Sequence, residues 1–253
     1  MKRTIFAVAA ALALAVAIAP ARAQSPKPAP APAPALTAER VLDRYVEVTG
    51  GRDAYAKHKS IAIKGTIEVL KFGVTGTMET YSVAPNRLSA TIVLSNYGTT
   101  RQVYDGTHAW SSDPLNGTRE LSGTELATIK RQAAFNADVN WRELWKSAEL
   151  VGTQNVGDRP ANVVKLTPKD GEGNPQTNFY DAETGLLVRT ETVVDTPAAT
   201  LPVVVLFSDY RPVGGIKIPF VSEQQLPTVT LKAVSTEVTF DTKIDEAVFA
   251  KPQ

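Results

Sequence analysis

"YDGTHAWSSDPLNGTRELSGTELATIKRQAAFNADVNWRELWKS" (Tyr104–Ser147) changes its period part-way along. Asp105-Gly106 is the residue pair favoured in a two-residue hairpin turn, so the stretch opens as strands Thr99–Tyr104 and Thr107–Ser111 around that turn. From Ser122 the spacing is helical. Ser122 and Glu125 stand as the N-cap and N3 residues of a capping box, with Leu121 and Leu126 in the staple positions. Leu126, Ile129 and Ala133 then share one apolar stripe, and Lys130, Arg131 and Gln132 lie off it. After a break at Asn136–Asp138, Trp141, Leu144 and Trp145 share a face of a second short helix. The stretch holds all three tryptophans of the chain. Isolated helices this short are unstable in water, so each must lay its stripe on a sheet. Trp and Leu suit a packed core and a movable lid equally well.

The chain around this stretch reads as strands. Ile61, Ile63, Gly65, Ile67 and Val69 alternate with polar or small residues, the pattern of a half-buried strand. A second strand runs to about Ala84, and a third carries Leu88, Ala90, Ile92 and Leu94 on one side. Beyond the helices, strands fall near 149–156, 160–168, 176–182, 186–194, 203–211, 216–225 and 228–240, joined by Gly-containing turns. About eleven or twelve strands in a meander make an antiparallel sheet that must curl or close. Pro219 inside "IKIPFV" marks an edge or a bulge, and the alternation slips by one between Ala233 and Val234, a further bulge or bend. The expected fold is mainly β (α+β): an incomplete, curled antiparallel β-barrel with short helices packed in or over its concave face.

The N-terminus is organised differently. Lys2 and Arg3 precede the apolar run Ile5–Ala19, and Ala21-Arg22-Ala23 gives a small-x-small cleavage site. This predicts a signal peptide over 1–23, cut between Ala23 and Gln24, and a periplasmic location. Residues 24–36 are a Pro/Ala spacer that cannot pack, and 37–253 read as a single domain. Thr37 is an N-cap; Val41, Leu42, Tyr45 and Val46 share a helix face that Gly50-Gly51 closes, and Asp53 is placed to cap a second short helix through Lys59. The chain has no cysteine, hence no disulfide and no site for a lipid anchor, so a soluble, monomeric exported protein is expected.

Little in the sequence suggests catalysis. A formal charge of +1 provides no field for nucleic acid. His58 lies in a basic "KHKS" helix end, read as an exposed residue near the helix dipole, and His108 reads as a surface strand residue. Neither has local Asp, Glu or Cys partners at metal spacing, and there is no P-loop, dinucleotide fingerprint or nucleophile elbow. A non-enzyme without metal or cofactor is expected.

Several stretches carry a resemblance: a helix ending in Gly-Gly, "VYDGTHAWSSDP" before helix signals, "AELVGTQNVGDRPANVVKLTPKDG", "FYDAETGLLVRTE", "FSDYRPVGGIKIPF" and "IDEAVFAKP". Over roughly residues 37–252 the chain resembles the outer-membrane lipoprotein-sorting superfamily of bacteria, the LolA/LolB type with the related LppX and RseB domains. The resemblance implies an incomplete barrel whose helices enclose a hydrophobic cavity for acyl chains. It implies a cavity role for Leu126, Ile129, Trp141, Leu144 and Trp145, with Leu88 and Ile92 on the facing strand. The family's carriers also use a basic residue near the cavity mouth; Arg87 and Arg101, as basic residues of the early strands, are the candidates. The implied function is a non-catalytic periplasmic carrier of lipoprotein acyl chains or another lipid, served by inner- and outer-membrane sorting components. An RseB-like sensor of a lipidated ligand and a structural envelope protein without a ligand are the alternatives.

Overall fold

The computed structural model describes residues 35–169, 173–196 and 199–253, and Leu36–Gln253 form one compact unit. The expected signal peptide and nearly all of the spacer lie outside the described residues.

α1 (Ala38–Thr49) starts where the Thr37 hydroxyl accepts from the Arg40 N–H at 3.3 Å. Its buried stripe is Val41, Leu42, Tyr45 and Val46, the spacing of a one-sided helix. It stops at Gly50, whose φ is 146°; a Cβ there would stand 2.4 Å from the Gly215 carbonyl oxygen. Both the dihedral and the close approach exclude other residues. α2 (Arg52–Ala56) follows with Gly51 at its N-cap, so Asp53 does not cap it and sits in its first turn.

The strands are β1 (Ser60–Val69), β2 (Val74–Val83), β3 (Arg87–Leu94), β4 (Gly98–Tyr104), β5 (Ala109–Asp113) and β6 (Gly117–Glu120). Then come α3 (Gly123–Ala133), α4 (Trp141–Leu144), β7 (Trp145–Val156), β8 (Arg159–Pro168), β9 (Gln176–Asp181), β10 (Leu187–Asp195), β11 (Thr200–Val213), β12 (Ile216–Gln225) and β13 (Thr230–Phe240). A single 3₁₀ turn, Glu246–Phe249, closes the chain's secondary structure. The strands form one 13-stranded sheet in the spatial order β6-β5-β4-β3-β2-β1-β13-β12-β11-β10-β9-β8-β7. Every pairing is antiparallel.

This order explains why the meander is interrupted. β6 and β7 are the two free edges, and α3 and α4 are the chain's route between them. α3 touches β3 and β4 on one half of the sheet and β10 on the other. In a flat sheet β3 and β10 would lie roughly 30 Å apart at about 4.8 Å per strand, far wider than one helix at about 10 Å. The sheet therefore curls around the helices without closing, an incomplete barrel.

Several local expectations are corrected. β6 is a strand the sequence reading omitted; it pairs with β5 across Pro114–Asn116, where the Asp113 carboxylate accepts from the Leu115 and Asn116 amides at 2.9 Å each. The Asp105-Gly106 turn is longer than a two-residue turn. Tyr104 faces Ala109, and the Asp105 carboxylate accepts from the Thr107 and His108 amides at 2.7 Å, which places His108 in the loop. Trp145 begins β7 instead of ending a helix. Ser122 does start α3, but no side-chain capping bond forms; Glu125 is drawn away by a two-bond ion pair with Arg119 at 2.6 and 2.7 Å. A bidentate charged pair outweighs a neutral cap.

The two shape signals fare better. β12 bonds to β13 only over Val221–Gln225, so the segment carrying Pro219 is released on that side, as an edge would be. β13 bulges at Thr236, skipped between the pairs Lys64–Glu237 and Gly65–Ser235, a little beyond the slip read at 233/234. Gly65 sits at this bulge because a Cβ would lie 2.2 Å from the Val234 oxygen. His58 is not exposed near a dipole. It stacks on Phe240 at 4.0 Å and bonds Asp241 (2.7 Å) and the Gly214 carbonyl (2.8 Å), clasping the α2 end to the sheet. Burial lowers its pKa, but the Asp241 carboxylate and Gly214 carbonyl outweigh that and raise it overall.

Candidate functional site

The concave face is filled unevenly. Towards β3–β5, α3 packs tightly: Ile129 (1 % exposed) and Ala133 meet Leu88, Tyr104, Ala109 and Leu121, with Leu126 alongside. The staple pair Leu121 and Leu126 is thus realised as packing. Towards β8–β10, α1 and α4 pack on Val164, Leu166 and Tyr180 through Val41, Leu42, Tyr45 and Trp141. Between these two packed regions the fit is incomplete.

Two cavities occupy the gap. One, of about 200 Å³, is walled by Leu42, Trp141, Leu144, Trp145, Leu166 and Tyr180 on its apolar side. Its other wall is polar: Asn174, Gln176 and Asn178 from the β9 side, Thr192 from β10, and Thr128, Arg131 and Gln132 from α3. Gln176 donates to Asn178, Asn178 to the Tyr180 hydroxyl, and Thr190 to Asn178, at 2.8, 3.0 and 2.9 Å. The second cavity, of about 230 Å³, is mostly apolar, with Ile61, Ala133, Phe135, Ile216, Ile218 and Phe240 among its lining. Tyr45, Gln132, Ala137 and Asp138 line both, so the two adjoin as neighbouring lobes of the concave face. Each alone falls below the roughly 300 Å³ of a small-molecule site, and their volumes together exceed it.

The walls are held firmly. The Trp141 indole N–H donates to Asp43 at 3.3 Å, and Arg142 makes two bonds to the same carboxylate at 2.9 and 2.8 Å while lying over the indole. Arg142 beside Asp43 holds that carboxyl below its usual range. Arg52 adds a bond to the Val139 carbonyl at 3.2 Å. Trp145, by contrast, is only partly buried, with Arg131 over its ring at 5.5 Å. Tyr45 and Tyr180 meet ring to ring at 5.5 Å across the floor; burial pushes both hydroxyls well up, and the Asp138 charge adds to it.

The sequence-selected residues therefore separate. Trp141, Leu144 and Trp145 line the first lobe. Leu126, Ile129 and Leu88 lie in the packed cluster beside it, and Ile92 shares the Leu88 face of β3 without lining either lobe. Arg87 and Arg101 lie outside the cavity. By alternation they point to the face opposite Leu88, where Arg87 pairs with Glu246 and covers Phe249, and Arg101 donates to the Val248 carbonyl at 2.8 Å. They fasten the C-terminal 3₁₀ turn, and the basic residues that line the lobes are Arg131 in the first and Lys217 in the second. Sequence reasoning missed Asp138, which sits in a polar break with no periodic signal. The Asn174, Gln176, Asn178 series was legible in principle, as amides two apart on one face of a strand. Among the described residues no group of three His, Cys, Asp or Glu side chains could hold a metal.

No family model matches the chain, and no match is found among the curated proteins. Solved structures do match. A LolA superfamily protein from Nitrosomonas europaea aligns over 86 % of this chain and 99 % of its own, with a TM-score of 0.57 at 12 % identity. A DUF1329 family protein from Desulfovibrio piger aligns over 84 % and 97 %, with a TM-score of 0.55 at 17 % identity. A domain ascribed to outer membrane lipoprotein sorting, from Vibrio parahaemolyticus, aligns over 83 % and 97 %, with a TM-score of 0.53 at 13 % identity. At these identities the likeness is one of fold, and the fold of this chain is that of the LolA superfamily.

Proposed function

We propose that the protein is a non-catalytic carrier of the bacterial envelope that holds an acyl chain of a lipid or lipoprotein between its helical insertion and its sheet. The observation that carries this reading is the two-lobed cavity on the concave face, walled by Trp141, Leu144 and Trp145 and continued by the apolar lobe around Ile61, Ile218 and Phe240. Burying a methylene stabilises a complex by about 0.8 kcal/mol, so a short run of chain supplies useful affinity without polar chemistry. The fold shared with a domain ascribed to lipoprotein sorting supports the same reading, as does the leader-like sequence at 1–23, which would deliver the protein to the periplasm.

Access is from the Trp145 side. Trp141 is fixed by Asp43, whereas Trp145 stands at the start of an edge strand, so outward movement of Leu144–Trp145 opens the first lobe with few bonds broken. Native mass spectrometry of protein recovered from its own periplasm without detergent tests the proposal. A co-purifying lipid or acylated peptide is expected. Ligand-free protein that also fails to bind a fluorescent acyl probe would overturn it.

A further inference from the structure

Among the described residues, the large apolar side chains that stand exposed are Leu36, Val151 and five that fall together: Leu70, Phe72, Val93, Tyr97 and Leu115. The five belong to the β1–β2, β3–β4 and β5–β6 hairpins. Alternate turns of an antiparallel meander project from the same end of a sheet. These three tips therefore stand side by side, each roughly 10 Å from the next at two strand spacings. Phe72 is 60 % exposed, Tyr97 64 % and Leu115 93 %. The tips are also fastened into one rim. The Leu70 amide donates to the Thr230 carbonyl of β13, and the Ser95 amide to the Thr75 carbonyl of β2, both at 3.0 Å. A Cβ on Gly98 would lie 2.7 Å from Cγ of Pro114, so the third tip rests against the second. Single exposed apolar residues are ordinary, but a row of them marks a contact surface.

The chemistry of the rim selects what it touches. Lys71 is the one charged residue within the tips 70–73, 95–97 and 114–117, and it lies over the Phe72 ring at 5.6 Å. Asp113 borders the third tip with its carboxylate turned inward, accepting from the Leu115 and Asn116 amides at 2.9 Å each. Glu68, further down β1, is paired across the ladder with Lys232. The other two turns carry their own backbone bonds: the Phe72 amide donates to the Val69 carbonyl at 3.0 Å and the Tyr97 amide to the Leu94 carbonyl at 3.2 Å. A turn that leaves water for lipid must arrive with its amides satisfied. Separate points of Phe, Tyr and Leu, with one lysine long enough to reach phosphates, have the composition of an interfacial anchor.

We propose that this rim docks the protein on a lipid bilayer, with Phe72, Tyr97 and Leu115 in the interface and Lys71 among the phosphates. The inference goes beyond the carrier reading and does not depend on it, since none of these residues lines either lobe. Apolar burial supplies the affinity, so docking responds only weakly to lipid charge and to salt.

The test mixes the full chain with phosphatidylcholine vesicles, with and without added phosphatidylglycerol, and reads the bound share by flotation. Binding to both is expected, differing by no more than about fivefold, the effect of one lysine at an anionic surface. Phe72→Ser and Leu115→Ser should each lower partitioning about tenfold, the order of effect of one large apolar side chain. Val151→Ser, exposed but mid-way along edge strand β7, should leave it unchanged. All three positions are exposed, so the variants should fold, which a thermal melt checks. No binding to either vesicle, binding to the anionic vesicles alone, or binding indifferent to both tip substitutions overturns the inference. So does an oligomer in vesicle-free sedimentation that dissociates in Phe72→Ser while no vesicle is bound, which would make the rim a contact between copies. Both tip variants should bind a fluorescent acyl probe as the unaltered protein does. Loss of probe binding with docking intact overturns the carrier reading alone, and loss of docking with probe binding intact overturns this inference alone.

Discussion

The two halves of the concave face use the same helical insertion in opposite ways. On the β3–β5 half, α3 is a closed core: Ile129 and Ala133 are each 1 % exposed and touch Leu88, Tyr104 and Ala109. On the β8–β10 half, the insertion leaves a cavity whose apolar wall is Trp141, Leu144 and Trp145. Lid and core are therefore not alternatives for this stretch. One end of it is core and the other end is wall, and Trp141, bonded to Asp43, belongs both to the β8–β10 core cluster and to the cavity wall.

Mutation tests this division most strongly at Trp141. It is 7 % exposed and hydrogen-bonded, so Trp141→Ala should lower unfolding stability by about 3–5 kcal/mol in a urea titration. Ile129→Ala should cost about 2–4 kcal/mol and leave acyl-probe affinity unchanged, because Ile129 lines neither lobe. If Ile129→Ala weakened binding as much as it weakened folding, the two halves would not be separable. Trp145→Ala should reverse the pattern. A cost of about 1–2 kcal/mol follows from its partial burial, with acyl-probe affinity falling roughly tenfold for lost contact area.

The smallest expected effect is one of pH, and it has opposite signs in two places. Asp138 has a folded pKa raised to about 6, so the native state binds its proton more tightly than the unfolded chain does. Its contribution is fully present below about pH 4 and fades as pH rises through 6, by less than about 1 kcal/mol because the side chain is accessible and solvent screens its charge. Asp181 is held far below the usual carboxylate range by the Arg159 guanidinium at 2.6 and 2.9 Å. Its contribution is present above about pH 4 and is lost on acidification. Asp138→Asn should flatten the first dependence in pH-resolved melts, and Asp181→Asn the second.

The strands were legible because one-sided burial imposes a period of two, and Ile61–Val69 or Leu88–Leu94 show it without help. Pro219 marked where β12 parts from β13, whereas the β13 bulge lies at Thr236, beyond the slip read after Ala233, where the ladder is continuous. What escaped is what distant residues decide. Glu125 has a capping box in the sequence and an Arg119 partner in the fold. Trp141, Leu144 and Trp145 fit a helix face by spacing, yet pairing with Pro168 draws Trp145 into β7. Arg87 and Arg101 were placed by charge alone, and strand alternation sends them to the outer face. Asp138 has no local pattern; it matters only because two packed regions fail to meet around it.

The most direct test of the central claim uses the tryptophans themselves. Trp145 lines the first lobe, whereas Trp110 lies on β5 and, by alternation from Ala109, points to the opposite face of the sheet. Two single-tryptophan proteins, one keeping Trp145 and one keeping Trp110, the others changed to Phe, are titrated with a brominated fatty acid, which quenches only on contact. Saturable quenching of Trp145 with Trp110 unaffected is the predicted result. Equal quenching of both, or none at Trp145, would contradict an acyl site on the concave face.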